Sequence, residues 1–377
     1  MSSLIVEVCK IDKIARHTGA DKLEIAVIKG WECIVKKGQY KRGDTVIYIP
    51  PDSLLPEDLA DRLGIRNYLV GKKKNRVKCA KLRGIISSGL IIDNEENWTV
   101  GTDVASHYGI LKYEPPVRTT TGDTAPEDPH FQKFTEIENI KNYPDIFKEG
   151  EMVYVTEKVD GTNSRTQLDC YAYMSYPWWK KLYTKIFKGT KYEWKAGSHN
   201  LKRKKPVGHK NGENVYWYPS TIPEVKNLLN YLTKIKGYKS ACLYGEIYGR
   251  ITGGLKSMTY GKEGKLAFVA FAIKLNGYYM NYEDFAEVCK FFKVPTVPVI
   301  AKMPFNFKRI KELSGGVSVL ASRNGAQHFR EGVVVYPVEE REERNCGRVT
   351  FKFLSDEYLL KKEKKHGKGE QVDFKDV

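Results

Sequence analysis

The chain reads as a two-domain α+β protein, an N-terminal antiparallel β-barrel followed by a larger domain of antiparallel sheets with flanking helices. Three observations predict this. Short apolar runs separated by Gly, Pro and charged turns fill roughly the first 112 residues, and strand-like runs that each carry a charge or a ring follow from residue 152. Between them lies a Pro/Thr/Gly/acid stretch without periodicity. A length of 377 residues suits two domains of about 150 residues each, with ample core.

In the first domain, residues 1–112, the runs cover residues 4–8, 23–28, 31–35, 45–49 and 84–92, a spacing that predicts an OB-type barrel. The string HTGADKLEIAVIKGWECIVKKGQYKRGDTVIYIPPDSLLP, with KLRGIISSGL after it, resembles the OB module appended to some aminoacyl-tRNA synthetases, where it contacts RNA. The cluster Lys72, Lys73, Lys74, Arg76 and Lys78 is suited to tracking phosphates, and is equally the composition of a solvated basic loop. EPPVRTTTGDTAPEDP marks a linker over residues 113–130.

The second domain, residues 131–377, is organised around residues 157 to 163 (EKVDGTN). The run MVYVT before it is strand-like, and Gly161 lets the backbone turn close to a ligand, so Lys158 and Asp160 fall at a strand's exit beside a pocket. A lysine there acts as a nucleophile if burial or neighbouring cations depress its pKa. Four strand-like runs follow: LYGEIYG with Glu246, KLAFVAFAI with Phe268 and Phe271, REGVVVY with Glu331, and VTFKFL with Lys352. Single charges in apolar strands need partners, metals or ligands, because burying one unpaired costs several kcal/mol, roughly. Residues 222–235 and 282–292 have the apolar spacing of helices.

These strings resemble, in order, the motifs of the covalent nucleotidyltransferases: DNA ligases, RNA ligases and mRNA capping enzymes. KVDGTN is similar to motif I, LYGEIYG to motif III, FVAFAIKLNG to motif IIIa, REGVVVYP to motif IV and FKFLSDEYL to motif V. With FTEIENIKNYPDIFKEGE upstream, the likeness is greatest to ATP-dependent RNA ligases that carry an N-terminal OB domain.

The resemblance implies a ligase-type nucleotidyltransferase domain in which Lys158 attacks the α-phosphorus of ATP to form lysyl-AMP. AMP then passes to a 5'-phosphate end, and a 3'-OH seals the strand. It further implies that Glu331 orients Mg2+ or Mn2+ with Asp160 as partner, and that Glu157, Asn163, Glu246, Phe271 and Lys352 bind the nucleotide. Glu246 and Asn163 would hold the ribose; Phe271, with Phe268 as the alternative, would stack on adenine; Lys352 would neutralise the α-phosphate. Leu354 stands where a second motif V lysine often falls, and Ala272 where motif IIIa often has aspartate. Related RNA ligases carry an arginine after a serine between motifs I and III; His199, Lys202 and Arg165 are the residues available here.

Lysine and arginine outnumber the acids by 63 to 46, for a net charge of +17, so an extended anionic partner such as RNA is expected. Between residues 171 and 205 aromatics interleave with lysines, a pattern that serves either single-strand binding or an amphipathic helix. Lys361, Lys362, Lys364, Lys365 and Lys368 form a basic tail. The seven cysteines never occur as C-x-x-C and are read as buried thiols, which points to a reducing, cytoplasmic location. No apolar run reaches the roughly 20 residues of a spanning helix, so no membrane is expected as a partner. A monomer is expected. The competing readings are a DNA ligase or capping guanylyltransferase of the same superfamily, and a noncatalytic RNA-binding protein.

Overall fold

The structure, a computed structural model, describes residues 4–114, 123–170, 192–206, 215–249, 259–344 and 346–359. Most of the linker, the aromatic-basic residues 171–191 and the basic tail lie outside these residues. The chain divides into two compact units, each taken by itself.

In the N-terminal unit the strands are β1 (Glu7–Lys10), β2 (Lys13–Arg16), β3 (Leu23–Ile28), β4 (Trp31–Lys36), β5 (Thr45–Ile49), β6 (Cys79–Leu82), β7 (Ile85–Ser88) and β8 (Leu90–Asp93), with helix α1 (Glu57–Arg62). They pair antiparallel in the orders β1-β5-β8, β2-β3-β4 and β6-β7. The continuous apolar run of β5 arises because both its faces are covered: Ile47 and Ile49 enter one core cluster, Val46 and Tyr48 another. The expected strand over residues 84–92 is broken at Gly89 (φ 90°), where a Cβ would lie 2.6 Å from the Ile49 carbonyl oxygen. Among the described residues the strands therefore form separate short sheets rather than one continuous ladder. In the expected basic patch Lys72, Lys73 and Lys74 are exposed, whereas Arg76 is committed to Asp52 at 2.5 Å and lies 3.3 Å from the Tyr113 ring centroid.

Residues 138–145 and 354–359 also cluster with this unit. The larger unit is built from β9 (Met152–Lys158), β10 (Thr162–Cys170), β11 (Tyr192–Gly197), β12 (Ser240–Gly249), β13 (Leu266–Leu275), β14 (Val299–Pro304), β15 (Gly332–Pro337) and β16 (Phe351–Leu354). One sheet runs β16-β15-β9-β14 and the other β11-β10-β12-β13.

Helices α2 (Pro223–Asn230) and α3 (Tyr282–Phe291) deliver Val225, Leu228, Leu229, Phe285 and Cys289 to a core shared with Leu168, Leu243, Phe268 and Ile273. Pro223 opens α2 at a position that needs no amide donor, and the helix continues as a π-helical turn over Tyr231–Ile235. Two short helices, α4 (Phe307–Ser314) and α5 (Val319–Arg323), are capped by the Asn306 and Ser318 side chains. At the described end of the aromatic-basic stretch, Tyr192 and Trp194 pack against the core, and Lys195 is paired with Asp128 and Asp169 at 2.7 and 2.8 Å.

Candidate active site

Lys158 ends β9 where its burial ends: the five preceding residues are buried, and the lysine side chain is 24% exposed. The antiparallel register sets Lys158 opposite Gly332, the first residue of β15, and so brings Glu331 alongside. Lys158 Nζ lies 2.8 Å from Glu331 Oε1, and Glu331 Oε2 is buried without a hydrogen-bond partner among the described residues. Burial alone would lower the lysine pKa, but the charges of Glu331, Glu246 and Asp160 and the hydrogen bond to Glu331 outweigh it and hold it above its ordinary value. Beside these carboxylates the Lys158 side chain is a charged ammonium, opposite in direction to the depressed lysine on which the sequence reading made a nucleophilic role conditional.

On the neighbouring sheet Glu246 of β12 stands directly across from Asn163 of β10, which hydrogen-bonds it. Among the described residues Glu246 Oε2 and Asn163 Oδ1 remain buried and unpartnered. Burial pushes the Glu246 carboxyl up to about 8; the Glu331 and Asp160 charges add to this, and Lys158 and the Asn163 hydrogen bond oppose it. Gly161 is required by the protein's own packing. A Cβ there would sit 2.7 Å from the Ile247 carbonyl oxygen and 3.1 Å from Glu246 Oε2.

The alternatives of the sequence reading separate on β13. A β-bulge between β12 and β13 sets Tyr244 opposite Ala272 and Gly245 opposite Ala270, leaving Phe271 as the extra residue. Phe271 consequently faces the cavity, while Phe268 is buried in the core. Lys352 reaches the same cavity because β16 alternates, with Phe351 and Phe353 buried on the other face.

Glu157 is used differently. Its carboxylate accepts hydrogen bonds from Ser318 Oγ and from the amides of Val319 (2.9 Å) and Leu320 (3.1 Å), closing the start of α5. The Asp160 amide donates to the Tyr260 hydroxyl at 2.7 Å. Neither Asp160 nor Glu331 forms part of the cavity wall; both act on it through their charge on Lys158. Among the described residues no group of three or more His, Cys, Asp or Glu side chains is disposed to hold a metal ion.

Of the residues available in place of the family arginine, only His199 lines the cavity. Burial first, then the Arg165 charge, lowers its pKa and favours the neutral ring. Arg165 is spent on the Ser198, Phe131 and Gln132 carbonyls and Lys202 on Asp128. The sequence reading missed Phe134, Glu340, Arg348 and Thr350 of the cavity wall. The spacing of Arg348, Thr350 and Lys352 by two residues, one face of a strand, was the available signal.

The RNA ligase family model matches residues 151–354, and an OB-fold domain model matches residues 5–93. The chain belongs to the RNA ligase family. Membership implies an RNA substrate and does not favour a DNA ligase or a capping enzyme. Among solved structures, a mutant of the Naegleria gruberi RNA ligase with AMP and Mn is 24% identical, with a TM-score of 0.70, covering 95% of this chain and 98% of that one. Another mutant of that enzyme with ATP and Mn is 23% identical, with a TM-score of 0.70, covering 96% and 99%. The same ligase with PPi gives the same four values. These likenesses show that this RNA ligase shares their fold over nearly its whole length. No curated protein matches the chain in sequence. Among the described residues no helix is long and apolar enough to cross a membrane.

Proposed function

We propose that this family member is an ATP-dependent RNA ligase that seals 3'-OH and 5'-phosphate RNA ends. The observation that carries the reading is Lys158 held 2.8 Å from Glu331 at a cavity that also presents Lys352, Glu246, Asn163 and Phe271. A noncatalytic binder has no use for a lysine nucleophile among these groups.

The residues present fit ATP. Glu246 Oε2 and Asn163 Oδ1 are buried acceptors in want of donors, which ribose hydroxyls supply. Phe271 offers a ring for adenine, and Lys352 a charge for the α-phosphate. The Glu157 carboxylate is occupied and its amide donates to the Pro298 carbonyl at 2.8 Å, so its own main-chain carbonyl is what it would offer the nucleotide. Glu331, whose Oε2 is a buried acceptor with no donor among the described residues, also fits Mg2+ or Mn2+ as a hard oxygen ligand, Asp160 being the expected partner and phosphate and water supplying the rest. When bound, such an ion adds positive charge that lowers the lysine pKa and neutralises phosphate.

Lys158 must first lose its proton, and Glu331 Oε1 is the acceptor already hydrogen-bonded to it. The amine then attacks the α-phosphorus: a P–N bond forms, the P–O bond to pyrophosphate breaks, and lysyl-AMP remains. Attack by a 5'-phosphate oxygen on the same phosphorus forms a P–O bond, breaks the P–N bond to release the Lys158 amine, and yields the RNA adenylate. The 3'-OH oxygen then forms the phosphodiester and expels AMP. All three steps are in-line displacements that one site serves by positioning and charge neutralisation. We further infer a monomer acting in the cytoplasm, in keeping with seven free cysteines.

A sealing assay with matched nicks tests the substrate. Joining is expected for RNA 3'-OH opposed to 5'-phosphate and is lost when the 5' end is a hydroxyl. Equal or better joining of all-DNA nicks would contradict the reading.

A further inference from the structure

The proposed chemistry uses Lys158, Glu331, Glu246 and Lys352 but leaves idle one other charged pair in the cavity wall. Arg348 and Glu340 both line it. Arg348 is 8% exposed and grips Glu340 through two hydrogen bonds, Nε to Oε1 at 2.6 Å and Nη2 to Oε2 at 2.8 Å. Its guanidinium lies 3.6 Å from the Tyr279 ring centroid and 5.5 Å from that of Phe134, which contacts Phe271 edge-on at 4.9 Å. The pair therefore sits one aromatic ring away from the surface on which the base would stack.

A buried ion pair is weak as a stabilising device, because desolvating two charges offsets most of their attraction. This pair, moreover, is not closed on itself. Arg348 Nη1 makes no hydrogen bond among the described residues, and each Glu340 oxygen has accepted only one. Both residues line the cavity, so the pair brings to its wall a spare donor and a spare acceptor, each held in place by the pair's own hydrogen bonds.

We infer that the Arg348–Glu340 pair reads the edge of the purine, Arg348 donating to adenine N1 and Glu340 accepting from the N6 amine. The inference rests on the ATP reading above and adds to it the residues that select the base. Phe271 stacks on any base and carries no such selectivity. The pair supplies it because a site built to hydrogen-bond an amine rejects an analogue that lacks it.

The test compares ATP with purine riboside triphosphate, which keeps N1 and lacks the amine, as donors for labelling the full-length protein freed of bound AMP. The wild type is expected to favour ATP in kcat/KM by roughly 10- to 100-fold. Replacing both members by apolar residues of similar volume, Arg348→Met with Glu340→Leu, avoids leaving a lone buried charge. That protein is expected to label from both donors with a preference near unity and a raised KM for ATP. Glu340→Gln keeps a hydrogen bond to Arg348 but turns a donor toward the amine, and it should erode the same preference without the double change. An unchanged ATP preference in a folded variant of either kind overturns the inference and assigns the pair to packing alone. A wild type that takes label from neither nucleotide would instead sink the ATP reading.

Discussion

At the scale of single residues, the site places opposite demands on two acids and a lysine. Lys158 is held charged by the carboxylates around it, so the rate of lysyl-AMP formation at saturating ATP should climb with pH through the neutral and mildly alkaline range. A rate that is flat from pH 6 to 9 would show that deprotonation of Lys158 does not limit the step. Glu246 carries the reverse signature. Burial raises its folded pKa to about 8, above the ordinary 4.5 of a glutamate, so as pH rises the unfolded chain releases this proton first. Its contribution to stability is intact below about pH 4.5 and declines until about pH 8. Glu246→Gln removes that decline: relative to wild type, the variant should gain Tm between pH 5 and 8, by roughly 2–4 °C per kcal/mol relieved. The same variant should weaken nucleotide binding. Thermal melts across pH that run parallel for the two proteins would contradict the assignment.

The sequence marked Lys158, Glu246, Glu331 and Lys352 as charges out of place in apolar strands, and the resemblance added Asn163 and Phe271, with Phe268 as the alternative. Of these, Lys158, Asn163, Glu246, Phe271 and Lys352 line the cavity. It could not show that Glu157, equally out of place, spends its carboxylate on the amides of a helix 162 and 163 residues away. Nor could it show that Arg165 is a buried clamp on three carbonyls while His199 faces the cavity. Those distinctions arise from long-range contacts that no local pattern encodes.

At the scale of elements, the strand that ends at Lys158 is fixed from both sides of that residue. Before it, Glu157 is anchored to the start of α5. After it, the Asp160 amide is tied to Tyr260, whose carbonyl accepts from the Asn324 side chain just past the end of α5. The short helix thus holds both flanks of the lysine. Tyr260→Phe removes one hydroxyl from a fully buried ring. A loosened lysine should cost kcat of lysyl-AMP formation roughly 10- to 100-fold with little change in the KM for ATP. An unchanged kcat would mean that Glu157 and the sheet suffice. The strands flanking the site were readable from their apolar runs, and α2 and α3 from their spacing. Helix α5 was not, since five residues give too little periodicity, and the bulge that turns Phe271 to the cavity is a register shift with no signature in composition.

At the scale of the whole molecule, charge and chain order set the expectations. A net charge of +17 predicts that sealing weakens steeply with added salt while lysyl-AMP formation, which needs no RNA, weakens much less. Parallel loss of both activities between 50 and 200 mM salt, roughly the range over which phosphate contacts are screened, would argue against an RNA-contact origin. The clustering of residues 138–145 and 354–359 with the N-terminal unit means that the linker does not mark a clean cut. Lys141, for example, lies 4.5 Å from the Trp31 ring centroid. A protein starting at residue 131 is therefore expected to melt well below the full chain.

The most direct test of the central claim is to incubate the purified chain, freed of bound AMP, with α-labelled ATP or GTP and a divalent ion, and to resolve it on a denaturing gel beside Lys158→Ala. The account predicts a covalent label from ATP that exceeds the label from GTP and vanishes in Lys158→Ala. A folded wild-type protein that takes no label, or a label that persists in Lys158→Ala, would contradict it.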